Sequence, residues 1–333
     1  MSYISVIGAG SWGTVLSALL AEKGYDVSLW VHEEDLAQEM KETRINSIYL
    51  PGVQLPDNIK ITSRFEEALY RTRYVLCVVP TQHVREVFQE ATGHLEDDAI
   101  IISASKGIEK GTLLTVSGIL SEITHHQVAV LSGPSFAREV IKKLPTAVTL
   151  AVKDRFLGLL LQEIFNTDYF RVYTHHDVLG VELGGALKNV IAIASGISDG
   201  LGLGLNARAA LITRGLAEIT RLGVKMGAEE RTFSGLSGMG DLVLTCTGAL
   251  SRNYTVGVKL GQGMSLQEIL SGMRAVAEGV ETSVSAHELS KRYNVEMPIV
   301  EQVYSVLHEG KPPQEAVRDL MSRTLKEEFY FSW

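Results

Sequence analysis

The sequence predicts an α/β domain with a doubly wound parallel sheet, followed by an all-helical carboxy-terminal domain. The length of 333 residues corresponds to about two domains, at ~150 residues each. Short apolar runs alternate with helical patterns as far as about residue 175, and beyond residue 178 we find helical patterns alone. We therefore expect a boundary near 175–180, with domains 1–178 and 179–333.

Segments of the first half have the apolar, β-branched composition of strands that are buried on both faces of a parallel sheet. The clearest is 74–79, which Pro80 stops, and helical patterns such as 82–94 and 113–123 lie between strands. The predicted strands are 4–7, 27–31, 74–79, 99–103, 128–131, 146–152 and 169–173. This alternation is typical of a Rossmann domain.

In the second half, amphipathic patterns predict helices over 178–198, 207–225, 283–293 and 300–308. The glycine-rich piece 200–204 interrupts these patterns over a few residues only. We interpret it as a local loop and not as a linker between domains.

Composition excludes several classes of protein. The net charge is 31 − 39 = −8, which argues against nucleic-acid binding. Two cysteines, Cys77 and Cys246, cannot form a disulfide framework, so we expect a reducing cytoplasm. The uncharged stretch 1–21 lacks the positive start of a signal peptide, and 123–137 is too short to span a membrane. The histidine pairs lack zinc-ligand spacing, so no metal is expected.

Glycines follow the first strand in the pattern Gly8-x-Gly10-x-x-Gly13, and a helical pattern begins directly after them. In this context the first glycine allows a tight turn, the second lets backbone approach a pyrophosphate, and the third allows close helix–strand packing. The helix start offers free N–H groups to phosphates. We expect a dinucleotide here, although a plain strand-to-helix turn would show the same pattern.

The position that contacts the adenosine ribose falls at His32 or Glu33, after the second strand. Glu33 would favour NAD because its carboxylate repels a 2′-phosphate, whereas His32 tolerates either cofactor. Both residues would serve equally as the polar start of the next helix. The choice between NAD and NADP stays open, with a slight preference for NAD.

Two further loops follow predicted strands at the edge where a parallel sheet binds its ligands. Lys106 follows 99–103, and Gly133 and Ser135 follow 128–131. We expect Lys106 to face cofactor or substrate, the alternative being a surface lysine. Ser135 fits either a ligand contact or a helix N-cap.

Lys188 interrupts an apolar helix of small residues, where a buried charge is costly without a partner. Burial would lower its pKa, as a general acid or base near neutral pH requires, whereas a snorkelling lysine would stay in water. Asp241 follows a glycine-rich turn. Ser251-Arg252-Asn253 suits a phosphate, although Ser251 as an N-cap beside a solvated Arg252 is favoured by spacing alone.

Together these segments resemble the bacterial-type NAD(P)-dependent glycerol-3-phosphate dehydrogenases. The resemblance extends over about the first 285 residues, in the family's order, and residues 290–333 add nothing to it. The matching stretches are GAGSWGT (8–14), SKGIE (105–109), LSGPSFA (131–137), ELGGALKNV (182–190), GLSGMGDL (235–242), SRN (251–253) and AEGVET (277–282).

The resemblance implies interconversion of sn-glycerol 3-phosphate and dihydroxyacetone phosphate in a cleft between the two domains, feeding phospholipid synthesis. It implies Lys188 as proton acceptor, Asp241 as its support, and Lys106 in contact with cofactor and substrate. Two larger sets follow from it. The substrate set is Lys106, Gly133, Ser135, Lys188, Asp241, Ser251, Arg252 and Asn253; the cofactor set is Gly8, Gly10, Ser11, Trp12, Gly13, His32, Glu33, Lys106, Ala137, Arg252, Val276 and Glu278.

At 32–33 the family often has two arginines, so His-Glu argues against a strong NADP preference. We also expect a homodimer that binds a small phosphorylated substrate. Two alternatives remain: a related two-domain hydroxyacid dehydrogenase, which would lack the Arg252-Asn253 phosphate contact, and a non-catalytic dinucleotide sensor, which would not need Lys188 with Asp241. The aromatic segment 329–333 has no assigned role.

Overall fold

The computed structural model describes residues 3–273, 276–325 and 327–328. The strands are β1 (Tyr3–Ile7), β2 (Asp26–Trp30), β3 (Ile45–Asn46), β4 (Leu50–Gln54), β5 (Ile59–Thr62), β6 (Thr72–Cys77), β7 (Ile100–Ser103), β8 (Gln127–Ser132), β9 (Thr146–Ala151) and β10 (Phe170–His175). The helices of the first half are α1 (Ser11–Glu22), α2 (Glu34–Thr43), α3 (Phe65–Ala68), α4 (Val84–Ala91), α5 (Val116–Ile123), α6 (Ala137–Val140) and α7 (Arg155–Phe165).

Among the described residues of the second half, all regular secondary structure is helical. Its helices are α8 (Val178–Gly200), α9 (Gly204–Lys225), α10 (Glu230–Phe233), α11 (Asp241–Thr247), α12 (Arg252–Gly261), α13 (Leu266–Ser271), α14 (Glu278–Arg292), α15 (Pro298–His308) and α16 (Pro313–Met321). The predicted all-helical second half is thus confirmed for this part of the chain. Sequence patterns missed α10, α11, α13 and α16, most of which are short, and indicated α12 only through its N-cap at Ser251.

Among the described strands, eight form one sheet in the order β10-β9-β8-β7-β6-β1-β2-β5. Alternate residues of β6 face opposite sides: Tyr74 and Leu76 pack with α1, while Val75 and Cys77 pack with α4 and α5. Helices therefore cover both faces, and the predicted doubly wound α/β architecture is confirmed.

The sheet departs from the predicted parallel arrangement at one edge. β9 runs antiparallel to β8, and β10 runs parallel to β9. The connection from β8 to β9 holds only the one-turn helix α6, and such a short return suits antiparallel pairing, whereas a parallel neighbour requires a longer crossover. The sequence also missed β3 and β5, which have two and four residues, and β4, in which three of five residues are exposed.

Helix α8 forms the centre of the helical half. Every residue from 180 to 198 is buried. Among the described helices, α8 has the length and hydropathy that a membrane span needs, but 83% of its most apolar window lies buried inside the protein. This burial identifies α8 as a core helix.

The stretch from the end of β7 to the first turn of α5 binds the helical half through polar contacts. The backbone N–H of Ser117 donates to Glu182 of α8 at 2.8 Å, and the Ser285 hydroxyl of α14 donates to the Ile108 carbonyl at 3.0 Å. Burial raises the pKa of Glu182, while hydrogen bonds from Ser117 act against this shift. These contacts hold the end of β7, and with it Lys106, against α8 and α14.

Glycines bring α8 and α12 into backbone contact. A Cβ on Gly257 would lie 2.1 Å from the Ile193 carbonyl oxygen, and one on Gly196 would lie 2.1 Å from the Tyr254 carbonyl oxygen. Because these neighbours are backbone atoms of packed helices, they cannot move aside without shifting a whole helix.

We predict that Gly257→Ala destabilises the protein by about 1–3 kcal/mol, because the added methyl group overpacks the helix contact. In an open helix the same change would stabilise by about 0.5–1 kcal/mol. Gly93→Ala is the matched control, since a Cβ there meets no described atom within 4 Å. Urea unfolding measures both variants, and equal midpoints for Gly257→Ala and Gly93→Ala would contradict the prediction.

Candidate active site

The carboxyl ends of β1, β6, β7 and β8 bring the predicted ligand loops to one edge of the sheet. In the first loop, Gly8 has φ +113° and a Cβ there would lie 2.6 Å from the Val78 carbonyl oxygen. A Cβ on Gly13 would lie 1.9 Å from the Gly8 carbonyl oxygen. Both positions therefore require glycine for a turn and for close packing.

Gly10 differs from its neighbours because it faces open space. A Cβ there would meet no described atom within 4 Å, and no described side chain caps the start of α1. An open approach to an uncapped helix N-terminus is what a pyrophosphate needs. The residues present thus fit a dinucleotide.

Tyr49, which sequence reasoning missed, connects two predicted cofactor positions. The Ser11 hydroxyl donates to the Tyr49 carbonyl oxygen at 2.5 Å, and the Tyr49 hydroxyl donates to Glu33 at 2.8 Å. Glu33 and His32 are both exposed at the end of β2. Tyr49 lies in the turn between β3 and β4, and no sequence pattern marks it.

Other predicted cofactor residues surround this loop. Trp12 packs against Phe170, with ring centroids 6.3 Å apart. Ala137 opens α6, and Val276 is 47% exposed just before α14. Trp12 and Ala137 pack against the hydrophobic core on the α1 side of the sheet, whereas Val276 is open to solvent.

Asp241 brings the two predicted lysines together. Its Oδ1 accepts a hydrogen bond from the Lys188 Nζ at 2.5 Å, and its Oδ2 accepts one from the Lys106 Nζ at 2.6 Å. Lys188 and Asp241 are 6% and 1% exposed. The snorkelling alternative for Lys188 and the surface alternative for Lys106 are therefore both wrong.

Burial lowers the pKa of Lys188 to about 8, although Asp241 acts against this shift and Lys106 adds to it. A lysine with such a pKa exchanges a proton near neutral pH, which an ordinary lysine does not. The arrangement can therefore accept or donate a proton at Lys188 Nζ.

Thr245 is a second contact that sequence reasoning missed. Lys188 Nζ donates to its hydroxyl at 2.6 Å, and that hydroxyl donates to the Asp241 carbonyl oxygen at 2.6 Å. The available signal was spacing, since residues four apart on α11 share one helix face. Cys246 beside it is buried, and burial raises the pKa of its thiol to about 12, in keeping with a packing role.

The loop after β8 meets the lysine cluster at its backbone. The Gly133 carbonyl oxygen accepts from Lys106 Nζ and from the Ser135 hydroxyl, each at 3.0 Å. Gly133 has φ +146°, and α6 begins only at Ala137. The N-cap alternative for Ser135 is therefore wrong.

Ser251 and Asn253 each have one side-chain oxygen engaged in the fold. The Ser251 hydroxyl caps α12 by accepting from the Tyr254 N–H at 3.2 Å, as spacing predicted. Asn253 Oδ1 accepts from the Gly279 N–H at 2.9 Å, at the start of α14. This bond fixes the Asn253 amide against α14.

Arg252 and Glu278 lie together where the two halves meet. Glu278 accepts from the Thr81 N–H at 3.2 Å, just after β6. Burial raises the pKa of Glu278 to about 7, and both the Thr81 contact and Arg252 act against that shift. Burial also lowers the pKa of Arg252, with Glu278 opposing, although part of the side chain stays exposed to solvent.

Comparisons with known proteins agree with this geometry. A family model described as the NAD-dependent glycerol-3-phosphate dehydrogenase N-terminus matches residues 3–157, and the corresponding C-terminus model matches residues 177–318. A curated relative from Geobacter sp. (strain M21), named glycerol-3-phosphate dehydrogenase (NAD(P)+), is 58% identical over 329 residues, 98% of each chain.

Solved structures extend the likeness to the whole fold. The crystal structure of glycerol-3-phosphate dehydrogenase from Coxiella burnetii matches with a TM-score of 0.93 and 42% identity, covering 97% of this chain and 99% of that one. The glycerol-3-phosphate dehydrogenase GPD1 from Saccharomyces cerevisiae matches with a TM-score of 0.82 and 30% identity, with coverage of 97% and 99%. The chain therefore belongs to the NAD-dependent glycerol-3-phosphate dehydrogenase family.

Proposed function

We propose that this chain interconverts sn-glycerol 3-phosphate and dihydroxyacetone phosphate with NAD or NADP. The observation that carries the proposal is the buried Lys188–Asp241–Lys106 cluster beside an open glycine loop. A dinucleotide sensor would not need a lysine of lowered pKa in this position. The names of the relatives support the same reaction.

In this proposal Lys188 moves the proton of the substrate's secondary alcohol. When bound, the nicotinamide cofactor accepts the hydride of the carbinol carbon, or supplies it in the reverse direction. Neutral Lys188 Nζ accepts the hydroxyl proton during oxidation, and its ammonium form returns that proton during reduction. Asp241 and Thr245 are positioning residues, because their oxygens fix the direction of Nζ.

Lys106 and Arg252, the other cations of the site, favour a negatively charged substrate. Lys106 shares Asp241 with Lys188, and in this proposal its ammonium group polarises the substrate carbonyl during reduction. Arg252 offers a planar set of donors that matches a phosphate. Because Asn253 Oδ1 is engaged by Gly279, we assign the other branch of the amide, its NH₂ group, to the phosphate.

The same proposal covers the setting of the reaction. We place the cleft between domains 1–178 and 179–333 and the remaining predicted substrate and cofactor residues along it. We also propose a cytoplasmic homodimer that supplies phospholipid synthesis. Net charge of −8 argues that the cations of the site recognise one small anion and not a polyanion.

We predict that Lys188→Ala lowers kcat by about 10²–10⁴-fold, because the proton acceptor is lost. NADH absorbance, followed after addition of dihydroxyacetone phosphate, measures the rate, and NADH fluorescence measures cofactor binding, which should survive. Unphosphorylated dihydroxyacetone should give little turnover with the unaltered chain.

Lys188→Met controls for the cavity that alanine leaves, and Lys142→Ala, at an exposed lysine, controls for loss of charge. Normal turnover in both Lys188 variants would remove the assigned acid–base group. Equal turnover of the phosphorylated and unphosphorylated ketones would instead contradict the assigned substrate.

We predict opposite pH profiles for the two directions. Burial lowers the pKa of Lys188 to about 8, so the neutral amine that oxidation requires accumulates as pH rises through that value. Hence kcat/KM for glycerol 3-phosphate oxidation should rise up to a plateau above pH about 8, while kcat/KM for reduction should fall there. Steady-state rates in matched buffers measure both, and parallel profiles would count against Lys188.

We predict a higher kcat/KM with NADH than with NADPH, because the exposed Glu33 carboxylate repels a 2′-phosphate. Glu33→Arg should shift this ratio toward NADPH by about fivefold to tenfold. Glu39→Arg makes the same charge change at an exposed position further along α2 and should leave the ratio almost unchanged. An equal shift in both variants would mean that net charge, and not position 33, sets the preference.

A further inference from the structure

A large groove lies apart from the residues assigned to catalysis. It has a volume of about 1300 Å³ and runs between α9, α15 and α16. None of the described residues assigned above to cofactor or substrate lines it. The buried Glu218 holds its walls together, since its carboxylate accepts from the Ile299 and Val300 N–H groups at 2.8 and 3.2 Å.

The groove leaves apolar side chains open to water. Val224 on α9 and Leu203 directly before that helix are 46% and 42% exposed, and Met321 at the end of α16 is 82% exposed. Exposed apolar residues that lie together along one groove indicate a surface that another group covers.

Two polar atoms at the groove also lack partners. Ser198 and Gln302 line it, and the Ser198 Oγ and Gln302 Oε1 are buried without a hydrogen-bond partner among the described residues. Buried oxygens of this kind are rarely left unpaired in folded proteins. An occupant with O–H or N–H donors would satisfy them.

The charges of the groove balance closely. Among its described lining residues, four are basic (Arg214, Arg221, Lys225 and Arg323) and five are acidic (Glu218, Glu230, Glu296, Glu327 and Glu328). Such a lining gives no net attraction for an anion or a cation. It favours an uncharged, mainly apolar occupant.

Glu327 and Glu328 line this groove, and the sequence that follows them, outside the described residues, has that composition. The Glu328 carbonyl oxygen accepts from Arg214 Nη1 at 3.4 Å, and residues 329–333, Phe-Tyr-Phe-Ser-Trp, follow directly. Five residues span at most ~17 Å. Arg214 lies about midway between Leu203 and Val224. At 1.5 Å per residue, each of them is ~15–17 Å from Arg214 along the helix. A five-residue segment that starts beside Arg214 is therefore long enough to reach either residue.

We propose that residues 329–333 bind in the groove of their own chain. The aromatic rings cover the apolar floor, and the Tyr330 hydroxyl and Trp333 indole N–H are the donors for the unpaired oxygens of Ser198 and Gln302. Attachment at Glu328 holds the segment at an effective concentration that a second copy does not match at ordinary protein concentrations. The segment thereby closes the core between α9, α15 and α16.

Truncation after Glu328 combined with a groove substitution tests the proposal. Truncation should lower the apparent Tm by about 2–6 °C. Val224→Lys slightly raises helix propensity but puts a charge under the segment, so it should lower the Tm of the full chain and leave that of the truncated chain unchanged or slightly higher. Leu159→Lys, at a 48% exposed leucine on α7, is the matched control and should have equal effects in both chains.

Gln302→Met should affect the Tm of the full chain and that of the truncated chain differently. In the full chain it should lower the Tm, because a donor of the segment loses its acceptor. In the truncated chain it should leave the Tm unchanged or raise it, because it removes an oxygen without a partner. If Val224→Lys and Gln302→Met each change the Tm by the same amount in the full and in the truncated chain, the proposal is overturned.

A disulfide panel identifies which chain supplies the segment. Ser332→Cys is combined in turn with Ala207→Cys, Ala210→Cys and Val224→Cys; the native Cys77 and Cys246 are buried. Intrachain disulfides, migrating at monomer mass without reductant, support the proposal. A dimer band would assign the groove to a second copy, and no disulfide at any of the three positions would mean that the segment lies elsewhere; either result overturns it.

Discussion

Asp241 accepts hydrogen bonds from two ammonium groups that belong to different halves of the chain. Lys106 follows a strand of the sheet, and Lys188 lies in the central helix of the helical half. Without this carboxylate, two cations would be buried close together at a large cost in free energy. With it, Lys188 keeps a partner while its pKa still falls to about 8. The chemistry therefore depends on this pair of oxygens, which also forms one of the contacts between the halves.

The surrounding helices are built so that these groups can approach. A Cβ on Gly184 would lie 2.7 Å from the Ser237 carbonyl oxygen, and one on Gly185 would lie 2.6 Å from the Ser132 hydroxyl. The absence of side chains at these positions lets α8 contact both the turn before Asp241 and the end of β8. The same device joins α8 to α12, which starts at Arg252. Small residues in α8 thus set how closely the cations converge.

Membership of the family gives the fold and the type of cofactor, but the preference between the two cofactors depends on this chain's own residues. His32 and Glu33 stand at the end of β2, and Tyr49 holds the Glu33 carboxylate from the turn between β3 and β4. A carboxylate fixed in this way argues for NAD on electrostatic grounds. Glu278 adds a second local feature, since it connects Thr81 of the sheet domain to Arg252 of the helical half.

The sequence by itself determined seven strands of the large sheet, the helical second half, the glycine loop and the identity of the cations, because hydrophobic periodicity and glycine spacing are local properties. It could not determine that β9 turns back antiparallel, since pairing direction depends on which strand edge the returning chain meets. It also left Lys106 and Lys188 between buried and exposed alternatives. Only the tertiary structure decided these, and with them the roles of Thr245 and Tyr49, because a pKa and a hydrogen bond depend on neighbours that are distant in sequence.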